Sequence, residues 1–383
     1  MKIMFVLARL NIGGAALNVI QMAHALNQLP GVETVLVHGQ VGPDEGDMVY
    51  LTDQYQVRRV EVASLGRELS PLRDLKTMGL LYRLMRQERP DVVNTHTAKA
   101  GWVGRWAALM AGVGVRVHTF QGHVFSGYFS PRKTQLFLFL ECLAARISTR
   151  IATVSPHLRT ELAQTYHIAP LDKIVVMIPG LNLQPFTQVK GQRGALRQQA
   201  GFPPESIVIG VVGRLVPIKN HALFLQAATL LHAQRPEVRF ALVGDGELRS
   251  EIEAQIAELG LQGAVYITGW VQDMARLYGD LDIVTISSNN EGMPVSLLEG
   301  IAAQIPVVST AVGGATDLLQ PDLARYLVPP GDAEALCAAW IDILDHPPEM
   351  KQPQARILAQ YDLPAVAQIH LAFYRQLLAE VRR

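Results

Sequence analysis

Cysteine is nearly missing from this chain of 383 residues: Cys142 and Cys337 stand far apart, with no CxxC pair and no Cys/His cluster. That usage suits a reducing compartment and leaves a structural zinc without ligands. Long apolar stretches are missing too. No run reaches the roughly 18 residues that a membrane-spanning helix needs. The run that opens the chain, IMFVLA before Arg9, is too short and wrongly flanked for a secretory leader, and reads as a buried first strand. Nor is there a surplus of one charge. The 34 Lys and Arg meet 34 Asp and Glu, a balance that argues against bulk affinity for nucleic acid. The balance hides an asymmetry, because residues 1–185 hold 19 basic and 13 acidic side chains and the remainder 15 and 21. A basic first half suits an anionic partner. These absences describe a cytoplasmic chain, soluble or peripheral on the inner face of a membrane.

Apolar residues make up 49% of the chain, and its length exceeds what one core usually supports, so two domains are expected. Short Val- and Ile-rich runs bounded by Gly, Pro or Asp alternate with longer helical patterns. In the first half they are 3–7, 34–38, 92–95, 115–119 and 151–154; in the second, 207–212, 239–243, 265–268, 283–287 and 306–309. Continuous runs of this kind suit strands buried on both faces of a parallel sheet. The alternation predicts an α/β protein with two doubly wound parallel-sheet domains. Periodicity lapses in MIPGLNLQPFTQVKGQRG (177–194), which sets domains at 1–185 and 186–365, followed by an amphipathic helix over 366–383.

Ligands of such sheets bind beyond the carboxyl ends of strands, where loops and helix N-termini converge. After the first strand, Gly13 and Gly14 open a helix, either as a tight turn or so that backbone amides approach an anion without a Cβ in the way. Neither G-x-G-x-x-G nor a P-loop motif occurs. After the first strand of the second half comes VVGRLVPIKNH, in which Gly213 precedes Arg214 and Lys219 follows five residues later. The loop is either a solvated basic turn or a place where a planar fork and a point charge reach one diphosphate. Asp245 and Glu247 in LVGDGELR fit helix capping at least as well as a site. Asp280 and Asp282 form a D-x-D, but ahead of a strand rather than after it, so a metal is not expected.

The stretch SSNNEGMPVSLLEG carries two carboxylates, Glu291 in a loop and Glu299 in the helix behind it. Pro294 suits that helix's first turn. The amides of Met293, Val295 and Ser296 beside Gly292 then offer an anion site. Glu291 is left free to accept from hydroxyls, and Glu299 reaches a second diol. For either carboxylate taken alone, a cap or a solvated helix position remains the alternative.

EGMPVSLLEGIAAQIPVVST, GRLVPIKNH, LVGDGELR, GWVQDMARLYGDLDIVTISS and YLVPPGDAEAL stand in one order and spacing that together resemble the retaining glycosyltransferases of family 4. The resemblance implies the GT-B fold, two Rossmann-like domains facing across a cleft, with the last helix returning to the first. It implies a nucleoside diphosphate sugar, by frequency a UDP-sugar, as donor, with no cofactor and no metal. Arg214 and Lys219 would hold the diphosphate, Glu299 the ribose and Glu291 the transferred sugar. Gly13 and Gly14 would close over the diphosphate, and the backbone at Trp270 and Val271 would meet the base.

NTHTAKAGWVGRWAAL and the segment from Val117 to Arg146 resemble bacterial members that build capsules, exopolysaccharides or O-antigens on glycan or lipid-linked acceptors. Relatives commonly carry a His where this chain has Gln121, a residue that can bond a hydroxyl but shuttles no proton. His123 therefore enters only as a neighbour of the acceptor, while His96 and His118 fit strand-end packing better than catalysis. Substitution on one face of the anomeric carbon follows, with Arg214, Lys219 and the helix amides stabilising the departing charge. Residues 128–140, with Tyr128, Phe129, Arg132, Lys133, Leu136, Phe137, Phe139 and Leu140, fit either contact with an anionic membrane surface or buried helix packing. Rival readings are a nucleotide-sugar epimerase of the same fold and a non-catalytic nucleotide-sugar-binding partner.

Overall fold

A computed structural model describes residues 1–42, 45–66, 70–123, 125 and 130–382; Tyr128 and Phe129 lie outside them. The chain divides into two units, Met1–Leu181 with Tyr361–Arg383, and Asn182–Gln360. The division thus falls four residues before the one expected from the lapse in periodicity. The return to the first unit begins at Tyr361 rather than at 366.

The first unit holds seven strands, β1 (Lys2–Arg9), β2 (Glu33–Gly39), β3 (Arg59–Glu61), β4 (Val92–His96), β5 (Val115–Phe120), β6 (Arg150–Thr153) and β7 (Ile174–Val176). They pair in parallel in the order β3-β2-β1-β4-β5-β6-β7. Side chains of a strand alternate between faces, and β1 feeds two cores accordingly. Ile3, Phe5 and Leu7 join the helices Gly14–Asn27 and Leu363–Val381 on one side. Met4, Val6 and Ala8 join the helices Pro71–Glu88 and Ala98–Met110 on the other.

The helix Leu363–Val381 belongs to this unit because its apolar stripe does. Leu363, Val366, Ala367, Leu371, Tyr374 and Leu377 are buried at helical spacing. Asp362 caps its start by accepting from Ala365 N–H at 3.2 Å. Inside the core the Tyr374 hydroxyl accepts from Asn94 Nδ2 at 2.8 Å, and Asn94 Oδ1 accepts from Thr119 Oγ1 at 2.9 Å.

The second unit holds β8 (Val208–Val212), β9 (Arg239–Val243), β10 (Val265–Ile267), β11 (Ile283–Ile286), β12 (Val307–Thr310) and β13 (Leu327–Val328), parallel in the order β10-β9-β8-β11-β12-β13. Trp340 anchors its core. The ring lies 5.3 Å from that of Phe224 and 6.0 Å from that of Phe240, and its N–H donates to Thr285 Oγ1 at 2.9 Å.

The D-x-D ahead of β11 clasps a buried arginine. Arg197 donates to Asp280 Oδ1 at 2.8 Å and to Asp282 Oδ2 at 2.7 Å. Asp280 also accepts from the amides of Gly194 and Leu196, and Asp282 from that of Val208. Both aspartates thereby tie the unit's first helix, Ala195–Ala200, to the roots of β8 and β11. A charge left buried without its partner is strongly destabilising. Arg197→Ala is expected to cost about 3–5 kcal/mol, read as a fall in the urea midpoint at unchanged slope.

Candidate active site

Strand order reverses between β8 and β11, which are neighbours in the sheet although more than seventy residues separate them in the chain. Ligand-binding crevices form at such a point. The loop after β8 carries Gly213, Arg214 and Lys219; the loop after β11 carries Glu291 and Gly292. The two are laced together: Ile218 O accepts from Asn289 N–H at 2.9 Å, and Lys219 O from Ser287 Oγ at 2.9 Å.

Across this seam Lys219 Nζ sits 2.6 Å from Glu291 Oε1, and the same oxygen accepts from Ser288 Oγ at 2.6 Å. Glu291 is therefore engaged, not free as the sequence suggested, because the lysine and hydroxyl nearest it satisfy its charge within the unit. Arg214 is half-buried. Its carbonyl accepts from buried His221 Nε2 at 3.1 Å, and burial pushes that imidazole down to about 4, so the ring is neutral. Asp245 serves the same loop through its carbonyl, which accepts from Leu215 N–H at 2.9 Å, while its carboxylate meets Arg249 at 2.8 Å. Val271 follows Gly269, whose backbone bridges Gly244 at the ends of β10 and β9.

Pro294 caps the helix Val295–Ala302 instead of entering its first turn, so Val295 and Ser296 are the first helical residues. Their amides belong to the group that has no intrahelical acceptor. Glu299 is buried in this helix and accepts from the Tyr278 hydroxyl at 2.8 Å. Burial pushes its carboxyl up to about 7, and the bond from Tyr278 pulls the other way. Among the described residues no three His, Cys, Asp or Glu gather as metal ligands.

Several supporting residues escaped the sequence reading. Gly313, with φ 46°, lies where a Cβ would fall 1.7 Å from the Glu291 carbonyl oxygen. Only glycine fits there, and the amide of Gly314 then donates to that oxygen at 3.2 Å. Ser288 is held in turn by Thr310, which donates to its carbonyl at 2.6 Å. The paired glycines between β12 and the next helix were the one signal available.

The remaining candidates lie in the first unit, where strand order reverses between β1 and β4. Gly13 caps the helix Gly14–Asn27, and apart from its chain neighbours nothing lies within 4 Å of where its Cβ would be. Thr97, between β4 and the next helix, has φ 68°, a strained value for a non-glycine. His96 is buried against Phe5, accepts from Gln121 Nε2 at 3.2 Å on Nδ1, and is driven by burial to about 3. Buried His123 stacks on Phe125, with Nε2 3.0 Å from Glu161. His118 bonds Thr95 at 2.9 Å beside the buried Arg105–Glu141 pair. All three histidines are packed and bonded at or near strand ends.

Residues 12–185 match the family described as Glycosyltransferase Family 4 and residues 192–358 that described as Glycosyl transferases group 1. The UDP-Gal:alpha-D-GlcNAc-diphosphoundecaprenol alpha-1,3-galactosyltransferase of Escherichia coli is 29% identical over 299 residues, 77% of this chain and 76% of its own. The capsular polysaccharide biosynthesis glycosyltransferase CapM of Staphylococcus aureus is 26% identical over 286 residues, 74% and 75% of the two chains. The solved structure of Anabaena HepE in complex with UDP and glucose matches with a TM-score of 0.82 at 21% identity, covering 97% of this chain and 99% of that one. The two parallel sheets share the GT-B fold of such neighbours.

The Glu299 carboxyl has a stability consequence whose sign is fixed. Its folded value, about 7, lies above the ordinary 4.5, so the folded state holds the proton more tightly and stability is lost as pH rises through that interval. Glu299→Gln removes the titration. The variant is expected to gain about 3 kcal/mol over the parent between pH 4 and pH 8, measured by urea unfolding at both ends.

Proposed function

Because the chain belongs to the glycosyltransferases, family 4 in its first half and group 1 in its second, we propose that it moves a sugar from a UDP-sugar to a glycan or lipid-linked acceptor, with retention at the anomeric carbon, in building a bacterial cell-surface polysaccharide. The observation that carries this reading is the Lys219–Glu291 pair, 2.6 Å apart where the strand order reverses. A diphosphate draws Lys219 and Arg214, while sugar hydroxyls take the Glu291 Oε1 that Lys219 and Ser288 now occupy. Glu299 accepts from the ribose.

The acceptor hydroxyl attacks the anomeric carbon on the face from which the diphosphate leaves. One C–O bond forms as the bond to the leaving oxygen breaks, and the acceptor's proton passes to that oxygen. The cations and the amides of Val295 and Ser296 stabilise the departing charge, which is the role electrostatic catalysis requires. The reading includes independence from metal, since Asp280 and Asp282 are spent on Arg197. The E. coli relative, named for UDP-Gal and a diphosphoundecaprenol-linked sugar, and CapM, named for capsule synthesis, support the donor and acceptor classes.

The reading includes contact with an anionic membrane through the helix Pro131–Ile147, which exposes Arg132, Lys133, Leu136 and Phe139 and keeps Phe137 and Leu140 half-buried. No helix among the described residues is long and apolar enough to cross a membrane.

Lys219→Ala is expected to keep the fold, by circular dichroism and melting, and to lower sugar transfer by about 10²–10³-fold in an assay that counts UDP released against acceptor glycosylated, with and without chelator. Near-normal turnover sinks the assignment, and an epimer formed from donor alone favours the rival activity. Arg132→Glu with Lys133→Glu is expected to weaken binding to phosphatidylglycerol vesicles, read by flotation, by at least about thirtyfold, at roughly 1 kcal/mol per basic residue. Equal recovery on neutral vesicles removes the electrostatic contribution.

A further inference from the structure

The group that holds Glu299 has no part in the reaction as derived so far. Tyr278 ends the short helix Met274–Tyr278 and is wholly buried, its ring edge-on to Phe186 at 5.3 Å. Its hydroxyl lies 2.8 Å from Glu299 Oε2 and 3.1 Å from the carbonyl oxygen of Ser296. A phenol has one hydrogen to donate, so two acceptors compete for it. With Glu299 ionised, the hydrogen goes to the carboxylate. With Glu299 protonated, the carboxyl donates to the phenolic oxygen and the phenol turns its hydrogen to Ser296. Every group remains bonded in both states, as burial demands.

We propose that Tyr278 is the positioning residue of the donor site: its hydroxyl switches between the Glu299 carboxylate and the Ser296 carbonyl, and so sets the charge and aim with which Glu299 meets the donor's ribose. The inference rests on the assignment of Glu299 to the ribose. Tyr278 is the titratable group facing that carboxylate. The elements packed most closely on the helix Val295–Ala302, namely β11, β12 and the turn Gln184–Gln188, carry no Asp, Glu, Lys, Arg or His. On Tyr278's own helix the charged residue, Arg276, is exposed. An ionised Glu299 accepts from both hydroxyls of a diol, whereas a protonated one has spent its hydrogen on Tyr278. Donor binding is then strongest above the carboxyl's range and weakens as pH falls through it.

The test measures UDP binding by calorimetry from pH 5.5 to 8.5, with 2′,3′-dideoxy-UDP alongside to cancel titration of the phosphates. For the parent, the ratio of the two affinities is expected to fall as pH is lowered. A constant ratio overturns the assignment of the ribose to Glu299, and with it the premise. Tyr278→Phe keeps the ring against Phe186 but removes the hydrogen that favours the charged carboxylate. The acid limb is expected to move up by about one pH unit, about a fivefold loss of UDP affinity at pH 7 for a limb that starts near 7, with kcat and the acceptor KM little changed. A lower melting temperature with the limb unmoved means that the hydroxyl only fills space, and overturns the inference while leaving the premise standing. Should that variant not fold, 3-fluorotyrosine at 278, a stronger donor, is expected to move the limb down; no movement counts against the proposal equally.

Discussion

A lysine and a glutamate 2.6 Å apart depend on a topological accident of parallel sheets: β8 and β11 lie side by side because the winding reverses between them. Neither loop holds its charge alone. The β11 loop is fixed by Gly313 and Gly314 beneath Glu291 and by Thr310 behind Ser288, and the β8 loop by His221 and by Asp245's backbone. Opposite charges on half-buried loops attract in a medium less polar than water. The contact therefore closes the seam and loads it with groups that a diphosphate and a hydroxyl can each separate.

Three carboxylate settings in one unit show how environment divides labour. Asp280 is buried and surrounded by donors, a guanidinium and two amides, and works as a structural clasp. Glu291 is partly open and shares its charge with a flexible lysine, so exchanging partners costs little. Glu299 is buried with one phenol, and its proton is loosely decided. The chemistry proposed for the chain uses the second and third kinds, one in the loop after β11 and one in the helix behind it, while the first, with Asp282, ties the unit's first helix to the roots of β8 and β11.

Most of the sheet scaffold was legible as Val- and Ile-rich runs, whose bounds shift by at most two residues in the structure. Three strands were not. β3, β7 and β13 span three, three and two residues, too few to impose a period, and β3 sits at a sheet edge with Arg59 and Glu61 exposed. In the site, Arg214, Lys219, Glu291 and Glu299 stood out because charge at strand ends in apolar surroundings is conspicuous and because their spacing resembles a family. Tyr278, Ser288, His221 and Gly313 act through contacts that spacing does not encode. Pro294 was expected in the helix's first turn and instead caps it, a shift of one residue that local propensity does not resolve. The pairing of Glu291 was invisible because it depends on which strands become neighbours.

The chain leaves the first unit at Leu181 and re-enters it at Tyr361, and those two residues are joined there by a backbone bond of 3.0 Å from Leu181 N–H to Tyr361 O. The second unit is thus continuous in sequence, whereas the first has a gap that its last helix must close. On the ribosome, where domains tend to fold as units in the order they emerge, the later unit has all its parts before the earlier one does. Until residues 363–381 appear, the face of β1, β4 and β5 that they cover stays open to water, and a chaperone that favours exposed apolar surface would find its target in the half translated first.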